Sequence, residues 1–95
     1  MDASEARFEW NDEKNATNIR KHGIAFKDAI KAFDDVNSFE YRSLGPHAEQ
    51  RCVLIGSAEG RLIAVIYTVR EERIRIISAR AARREERNRW NANTS

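Results

Sequence analysis

The stretch RCVLIGSAEGRLIAVIYTVREERIRIIS, residues 51–78, decides the fold, because its apolar side chains recur with the period of β-strands. It predicts three consecutive strands over residues 51–58, 61–70 and 73–78. Glu59-Gly60 and Glu71-Glu72 are short enough to join these strands as antiparallel hairpins. The middle run is apolar on both faces, which is typical of a central strand covered on both sides.

The residues before this stretch predict a short strand over 8–10 and then two helices. The first helix covers residues 13–22; Asn11 or Asp12 caps its start, and Gly23 ends it. The second helix is predicted from four apolar residues that share one helical stripe: Phe26, Ala29, Ile30 and Phe33.

The remaining segments complete an α+β architecture, an antiparallel sheet with two amino-terminal helices and one carboxy-terminal helix. Residues 38–41 are expected to form a further strand, and residues 42–49 a loop. Ser78 is expected to cap a final helix over residues 79–90. We expect a single domain over residues 1–95, with flexible segments at 1–6 and 91–95.

Composition excludes several classes of protein. The 95 residues (11.0 kDa) are 41% hydrophobic and 34% charged, with one Pro and four Gly, unlike collagen-like, low-complexity or disordered chains. There is no apolar run of membrane-spanning length, and the first residues do not resemble a signal peptide. The single cysteine, Cys52, cannot form an internal disulfide, which favours a reducing cytoplasm. With two His and one Cys, the sequence offers few ligands for zinc, so we expect no metal site.

Charge is distributed unevenly along the chain. Residues 1–60 contain 8 Lys/Arg and 11 Asp/Glu, whereas residues 61–95 contain 9 Arg, no Lys and 4 Glu. The planar guanidinium fork matches phosphate in a bidentate way, so this basic part indicates RNA, DNA or an acidic protein partner. A merely solvated basic surface is the alternative.

The residues that could carry chemistry form a set without metal ligands: Lys21, His22, Glu49, Arg51, Arg75 and Arg80. Metal-independent RNA cleavage needs a base for the ribose 2′-OH, cations for the pentavalent phosphorane and an acid for the leaving 5′-oxygen. Lys, His and Glu can transfer the protons, and clustered Arg can supply the positive charge. Four further residues are candidates for RNA binding: Tyr67, Arg70, Arg73 and Arg83.

Each of these residues also has a purely structural interpretation. His22 suits a helix terminus, and Glu49 with Arg51 suits a surface ion pair. Arg75 requires a partner, either a carboxylate such as Glu49 or Glu86, or an incoming phosphate. Tyr67 suits core packing as well as base stacking. Adjacent Asp34 and Asp35 suit a turn better than a magnesium site.

The order of these residues resembles the BrnT toxin family over nearly the whole chain, from Phe8 to Trp90. The first half of the resemblance rests on Phe8-Glu9-Trp10 and Lys21-His22-Gly23, followed by a helix that contains Phe26. The second half rests on Arg75-Ile76-Ile77-Ser78-Ala79-Arg80 before a helix with Glu86 and Arg87. Asn11 and Trp90 depart from the Asp and Tyr that are usual in the family.

The resemblance implies a RelE-like ribonuclease-toxin fold, metal-independent RNA cleavage and inhibition of translation. It also implies neutralisation by a BrnA-like ribbon-helix-helix antitoxin, whose complex with the toxin binds operator DNA. By position, the functional basic residues of the family fall on Lys21, His22, Arg51, Arg75 and Arg80, with Glu49 as the acidic member. A non-catalytic module that binds nucleic acid or a protein partner is the alternative function.

Overall fold

The computed structural model describes residues 7–94, so Ser95 and the predicted flexible segment 1–6 lie outside it. Within these residues five strands form one mixed sheet in the order β1-β5-β4-β3-β2. The strands are β1 (Phe8–Glu9), β2 (Phe39–Leu44), β3 (Gln50–Ala58), β4 (Arg61–Arg70) and β5 (Arg73–Ala81), and the helices are α1 (Asp12–His22), α2 (Phe26–Ala29) and α3 (Arg84–Thr94). The α+β class is therefore confirmed.

Helix α1 begins one residue before its predicted start and ends at His22 as predicted. The side chain of Asn11 accepts a hydrogen bond from the backbone N–H of Lys14, and Gly23 ends the helix with a left-handed φ of 68°. Helix α2 is shorter than predicted, because the chain tightens into a 3-10 helix over Ile30–Asp34. Phe26, Ala29 and Ile30 are nonetheless buried, so the predicted apolar stripe faces the core.

The two predicted hairpins are present, and β4 is the central strand. The expectation of a wholly antiparallel sheet is wrong, because β1 pairs with β5 in parallel, Phe8 opposite Ile74 and Glu9 opposite Arg75. Strand β2 also continues to Leu44, three residues beyond its predicted end, because its antiparallel pairing with β3 runs as far as Gln50.

The largest error concerns Ser78, which caps no helix. Strand β5 continues through it to Ala81 because its pairing with β4 extends to Ile63 opposite Ala81. The register shifts between Ile66, opposite Ser78, and Tyr67, opposite Ile76, so Ile77 is an extra residue in β5. Helix α3 begins only at Arg84 and continues to Thr94, so residues 91–94 are helical where we expected flexibility.

The sheet has two differently covered faces. The face under α1 and α2, called the α1 face, contributes Leu54, Val65, Tyr67 and Ile76 to the larger apolar cluster. The opposite face, called the α3 face, contributes Val53, Ile55 and Ala64 to a smaller cluster against which Trp90 of α3 packs.

One buried side chain completes the edge of the sheet where β1 ends. Asn18 of α1 donates hydrogen bonds to the carbonyl oxygens of Ile24 and Ala79 and accepts one from the N–H of Ala79. Its amide thus pairs with β5 as a neighbouring strand would. The contact fixes the end of α1 against β5, which positions Lys21 and His22. No helix among residues 7–94 is long and apolar enough to cross a membrane.

Candidate active site

Half of the α3 face carries a row of polar side chains across the sheet. Ser43 of β2 lies opposite Arg51 of β3, and Arg51 comes level with Thr68 of β4 because its neighbour Cys52 pairs with Tyr67. Thr68 in turn lies opposite Arg75 of β5, which lies opposite Glu9 of β1. We call this set, Ser43, Arg51, Thr68, Arg75 and Glu9, the polar row.

Helix α3 crosses the other half of the same face. Its side chains contact Tyr41, which is level with Val53 and Ile66 beside the polar row, and Phe39 and Arg80, which lie one level further away. The side chains of Arg51 and Arg75 remain 24% and 31% exposed. The polar row is therefore reachable from solvent beside α3.

Arg75 is held by a carboxylate that the sequence analysis did not consider. Glu9 accepts a hydrogen bond from Arg75 Nη1 at 2.8 Å and forms an ion pair with Arg73 Nε at 3.0 Å. Arg73 also donates a hydrogen bond to the carbonyl of Phe8. The expected partners of Arg75, Glu49 or Glu86, lie elsewhere, because β1 places Glu9 directly beside it.

Arg51 lies two strands away from Arg75, so the backbones of the two residues are roughly 10 Å apart at the usual strand spacing. Its Nη2 donates a hydrogen bond to Glu49 at 3.2 Å, so the predicted pairing of these two residues is present. Glu49 ends a tight turn that the N–H of Gly45 closes by donating to the Glu49 carbonyl at 2.7 Å.

Arg80 also lies on the α3 face, but its guanidinium binds a protein carboxylate. Its Nη1 and Nη2 donate to the two oxygens of Glu86 at 2.8 and 3.0 Å. The hydroxyl of Tyr41 and the N–H of Arg83 also donate to Glu86. The hydrogen bonds from Arg80 lower the pKa of Glu86 to about 2 in spite of its burial, so this carboxylate is ionised at neutral pH.

Lys21 and His22 lie at the exposed carboxy-terminal end of α1 and line a groove of about 420 Å³. The groove runs between α1 and the edge of β5, where its wall is Ile77 and Ser78. These two residues are the middle pair of the four that separate Arg75 from Arg80 along β5. The Lys21-His22 pair thus adjoins the strand that carries both arginines, but the groove is not lined by either of them.

The four predicted RNA-binding residues divide between the two faces. Arg70 and Arg73 lie opposite each other at the hairpin of β4 and β5, on the same face as the polar row. Arg83 lines a second groove, about 630 Å³, between α3 and β2.

The fourth, Tyr67, is buried on the α1 face, where its ring packs edge-on against Phe33 and its hydroxyl donates to Glu40. Burial and the Glu40 carboxylate both raise the pKa of Tyr67. The fold therefore uses this ring in the core, which is the structural interpretation of Tyr67 given above, and its buried position does not support a role in base stacking.

Carboxylates, His and Cys do not gather into a metal-binding group among the residues that the structure describes. Asp35, one of the adjacent pair considered above, instead accepts hydrogen bonds from Asn37, Ser57 and Trp90. Burial alone would raise the pKa of Asp35, but these hydrogen bonds outweigh it and lower the pKa. Asp35 joins α3 to the sheet.

Most of the arginines predicted for the site lie on the same face of the sheet. Five of the predicted arginines share the α3 face: Arg51, Arg70, Arg73, Arg75 and Arg80. Glu9 is the residue that sequence reasoning missed, although alternation with the apolar Phe8 was a signal that it points away from the core.

This arrangement defines a small α+β protein with an arginine-lined, partly uncovered sheet face. A family model described as "Ribonuclease toxin, BrnT, of type II toxin-antitoxin system" matches residues 10–86. The chain therefore belongs to the BrnT family of ribonuclease toxins, as its sequence suggested. A comparison with curated proteins finds no significant match.

Proposed function

We propose that this protein is a metal-independent endoribonuclease of the RelE-like type, and that RNA binds along the polar row of the α3 face. In this proposal it inhibits translation in the cytoplasm by cleaving RNA. A BrnA-like ribbon-helix-helix antitoxin neutralises it, and their complex represses its own operon by binding operator DNA.

The observation that carries the proposal is the placement of Arg51 and Arg75 on one solvent-reachable face. Two long arginine side chains that start roughly 10 Å apart on one face of a sheet can both reach the phosphate groups of an RNA backbone laid across it. Arg70 and Arg73 extend the same positive surface towards the hairpin, where they would bind flanking phosphates.

The reaction that fits this surface is attack by a ribose 2′-oxygen on the adjacent phosphorus. The 2′-O–P bond forms, the P–O5′ bond breaks, and a 2′,3′-cyclic phosphate and a 5′-hydroxyl result. One protein group removes the 2′-OH proton and another protonates the departing 5′-oxygen. Arg75 and Arg51 stabilise the negative charge that develops on the phosphorane oxygens.

Lys21, His22 and Glu49 are the proposed proton-transfer groups. The groove lined by Lys21 and His22 meets the edge of β5 at Ile77 and Ser78, so RNA on the polar row would cross this edge to reach them, whereas Glu49 lies beside Arg51. Arg80 has a supporting part in the proposal, since Glu86 already occupies both of its terminal nitrogens. It fixes α3 and thereby the boundary of the surface that RNA reaches.

The test is digestion of total RNA by purified, antitoxin-free protein in buffer that contains EDTA. We expect cleavage that is undiminished by EDTA and abolished by a stoichiometric amount of antitoxin. Loss of cleavage in EDTA, with recovery on adding Mg²⁺, would contradict metal independence. RNA that is bound with a steep salt dependence but never cut would instead favour the binding module.

A further inference from the structure

Gly45 lies directly against the side chain of Arg51. A methyl group at this position would lie 2.7 Å from Arg51 Cζ and 2.9 Å from its Cδ, and closer still to Nε. Real Cβ atoms essentially never approach other atoms within 3.0 Å, so an alanine here would displace the guanidinium group. Ordinary contact begins at 3.4 Å, which requires Cζ to move by at least about 0.7 Å.

The backbone at Gly45 does not itself require glycine. Its φ of −92° and ψ of −170° are extended values that any residue adopts. By contrast, Gly23 and Gly60 have φ values of 68° and 74°, and a Cβ on either would meet nothing within 4 Å. Gly45 is thus constrained by the side chain of Arg51, whereas Gly23 and Gly60 are constrained by backbone conformation.

Where the Arg51 side chain packs against Gly45, one of its hydrogen-bond donors, Nε, is left without a partner. Arg51 Nε is buried and has no hydrogen-bond partner among the residues that the structure describes. Its guanidinium has one ion pair, with Glu49, whose side chain is 42% exposed. Packing against Gly45 therefore buries Nε without a hydrogen bond, and the terminal nitrogens of Arg51 are the ones that can meet a ligand.

We propose that Gly45 is a positioning residue: because it has no side chain, it leaves the space in which the guanidinium of Arg51 lies within the polar row. The proposal rests on the RNA-cleaving function proposed above and adds to it a residue that touches neither RNA nor the reacting atoms. Through Gly45, the turn that ends at Glu49 sets both members of the Glu49–Arg51 pair, because the N–H of Gly45 donates to the Glu49 carbonyl.

The experiment compares Gly45→Ala, Arg51→Ala and the double variant by kcat/KM for RNA cleavage. We expect Gly45→Ala to lower kcat/KM roughly tenfold or more, because displaced charge no longer matches the transition state. In the Arg51→Ala background the same change is expected to cost nothing further, since the group that it displaces is gone. Wild-type activity in Gly45→Ala, or a loss that adds fully to that of Arg51→Ala, would overturn the proposal.

Gly60→Ala is the matched control, because it strains the backbone without touching a side chain. Gly60→Ala is expected to lower the thermal midpoint of unfolding and keep kcat/KM, whereas Gly45→Ala is expected to keep the midpoint and lower kcat/KM.

If Gly45→Ala fails to fold, the double variant with Arg51→Ala gives the answer. Recovery of the fold in the double variant supports a collision with Arg51, and continued failure to fold contradicts it. An inactive wild type would remove the proposed function and this inference with it, whereas an active wild type with an active Gly45→Ala removes only the inference.

Discussion

At the scale of single residues, the site depends on how the fold holds its guanidinium groups. A guanidinium placed partly out of water needs a negative or hydrogen-bonding partner. Arg75 and Arg73 share Glu9, which leaves one net positive charge on that cluster. Arg80 and Glu86 instead neutralise each other. Arg75 is therefore better placed than Arg80 to bind a phosphate.

The first prediction concerns Arg75→Ala. We expect kcat/KM for RNA cleavage to fall about 100-fold, the usual loss when one donor to a developing oxyanion is removed. Arg42→Ala is the matched control, since Arg42 is an exposed strand arginine that lies opposite Cys52 on the α1 face. Equal losses in both variants would show that total charge, and not the polar row, governs cleavage.

The second prediction concerns Glu9→Gln, which removes the carboxylate that orients Arg75. We expect kcat to fall about tenfold, because the guanidinium loses its fixed orientation. KM is expected to stay constant or fall, because one negative charge leaves a surface that binds an anion. An unchanged kcat, or a rise in KM alone, would contradict a positioning role for Glu9.

The arginines of the site could be predicted from the sequence, but their arrangement could not. Arg75 was recognisable as a strand arginine that needs a partner, because apolar residues flank it. Its partner, Glu9, was not recognisable, since the two are brought together by a parallel pairing of only two residues. Alternation with Phe8 indicates only which way the Glu9 side chain faces, and a two-residue strand gives no signal of its direction or of the strand beside it.

At the scale of secondary-structure elements, Asn18 joins α1 to β5. The third prediction is that Asn18→Asp lowers the free energy of unfolding by about 2–4 kcal/mol, because two donors to buried carbonyls are replaced by a charged acceptor. Urea unfolding measures the change. Asn88→Asp, on the exposed surface of α3, is the control and is expected to change stability little. A similarly small effect at Asn18 would contradict its edge-strand role.

The fourth prediction concerns the acid stability that the Arg80–Glu86 pair contributes. The folded pKa of Glu86 is about 2, below its ordinary 4.5, so ionised Glu86 stabilises the fold above pH 4.5. This contribution, on the order of 2–3 kcal/mol, is expected to decline as the pH falls from about 4.5 to 2.

Unfolding free energies measured against pH test this claim. The Glu86→Gln variant is expected to be less stable than wild type at pH 7, with a difference that narrows through the same acid range. A constant difference between the two proteins at every pH would contradict the depressed pKa of Glu86.

The elements also show where local signals mislead. Ser78 before Ala79 and an Arg- and Glu-rich run has the pattern of a helix cap, yet the pairing of β5 with β4 extends the strand through Ala81. Propensity is a weak preference that tertiary pairing overrides. The strands β3 and β4 were predictable within a residue because apolar residues fill most of both and the Glu59-Gly60 turn marks the boundary between them.

At the scale of the whole molecule, the uneven charge of the sequence becomes a surface. The arginines of residues 61–95 that occupy β4 and β5 fall on the α3 face, with one exception, Arg61, which donates to Gly23 on the other side. Folding thus converts a charge asymmetry along the chain into one positive face, and β3 adds Arg51 to it. RNA, on which a ribonuclease-toxin family acts, carries the opposite charge to this face.

The most direct test of the central claim is the chemistry of the RNA ends after digestion by wild-type protein in EDTA. If the polar row promotes attack by the neighbouring 2′-oxygen, every new 3′ end carries a 2′,3′-cyclic phosphate or the monophosphate formed when that ring opens, and every new 5′ end is a free hydroxyl. Fragments with 5′-phosphate and 3′-hydroxyl ends would contradict this account, because they require attack by water rather than by the ribose.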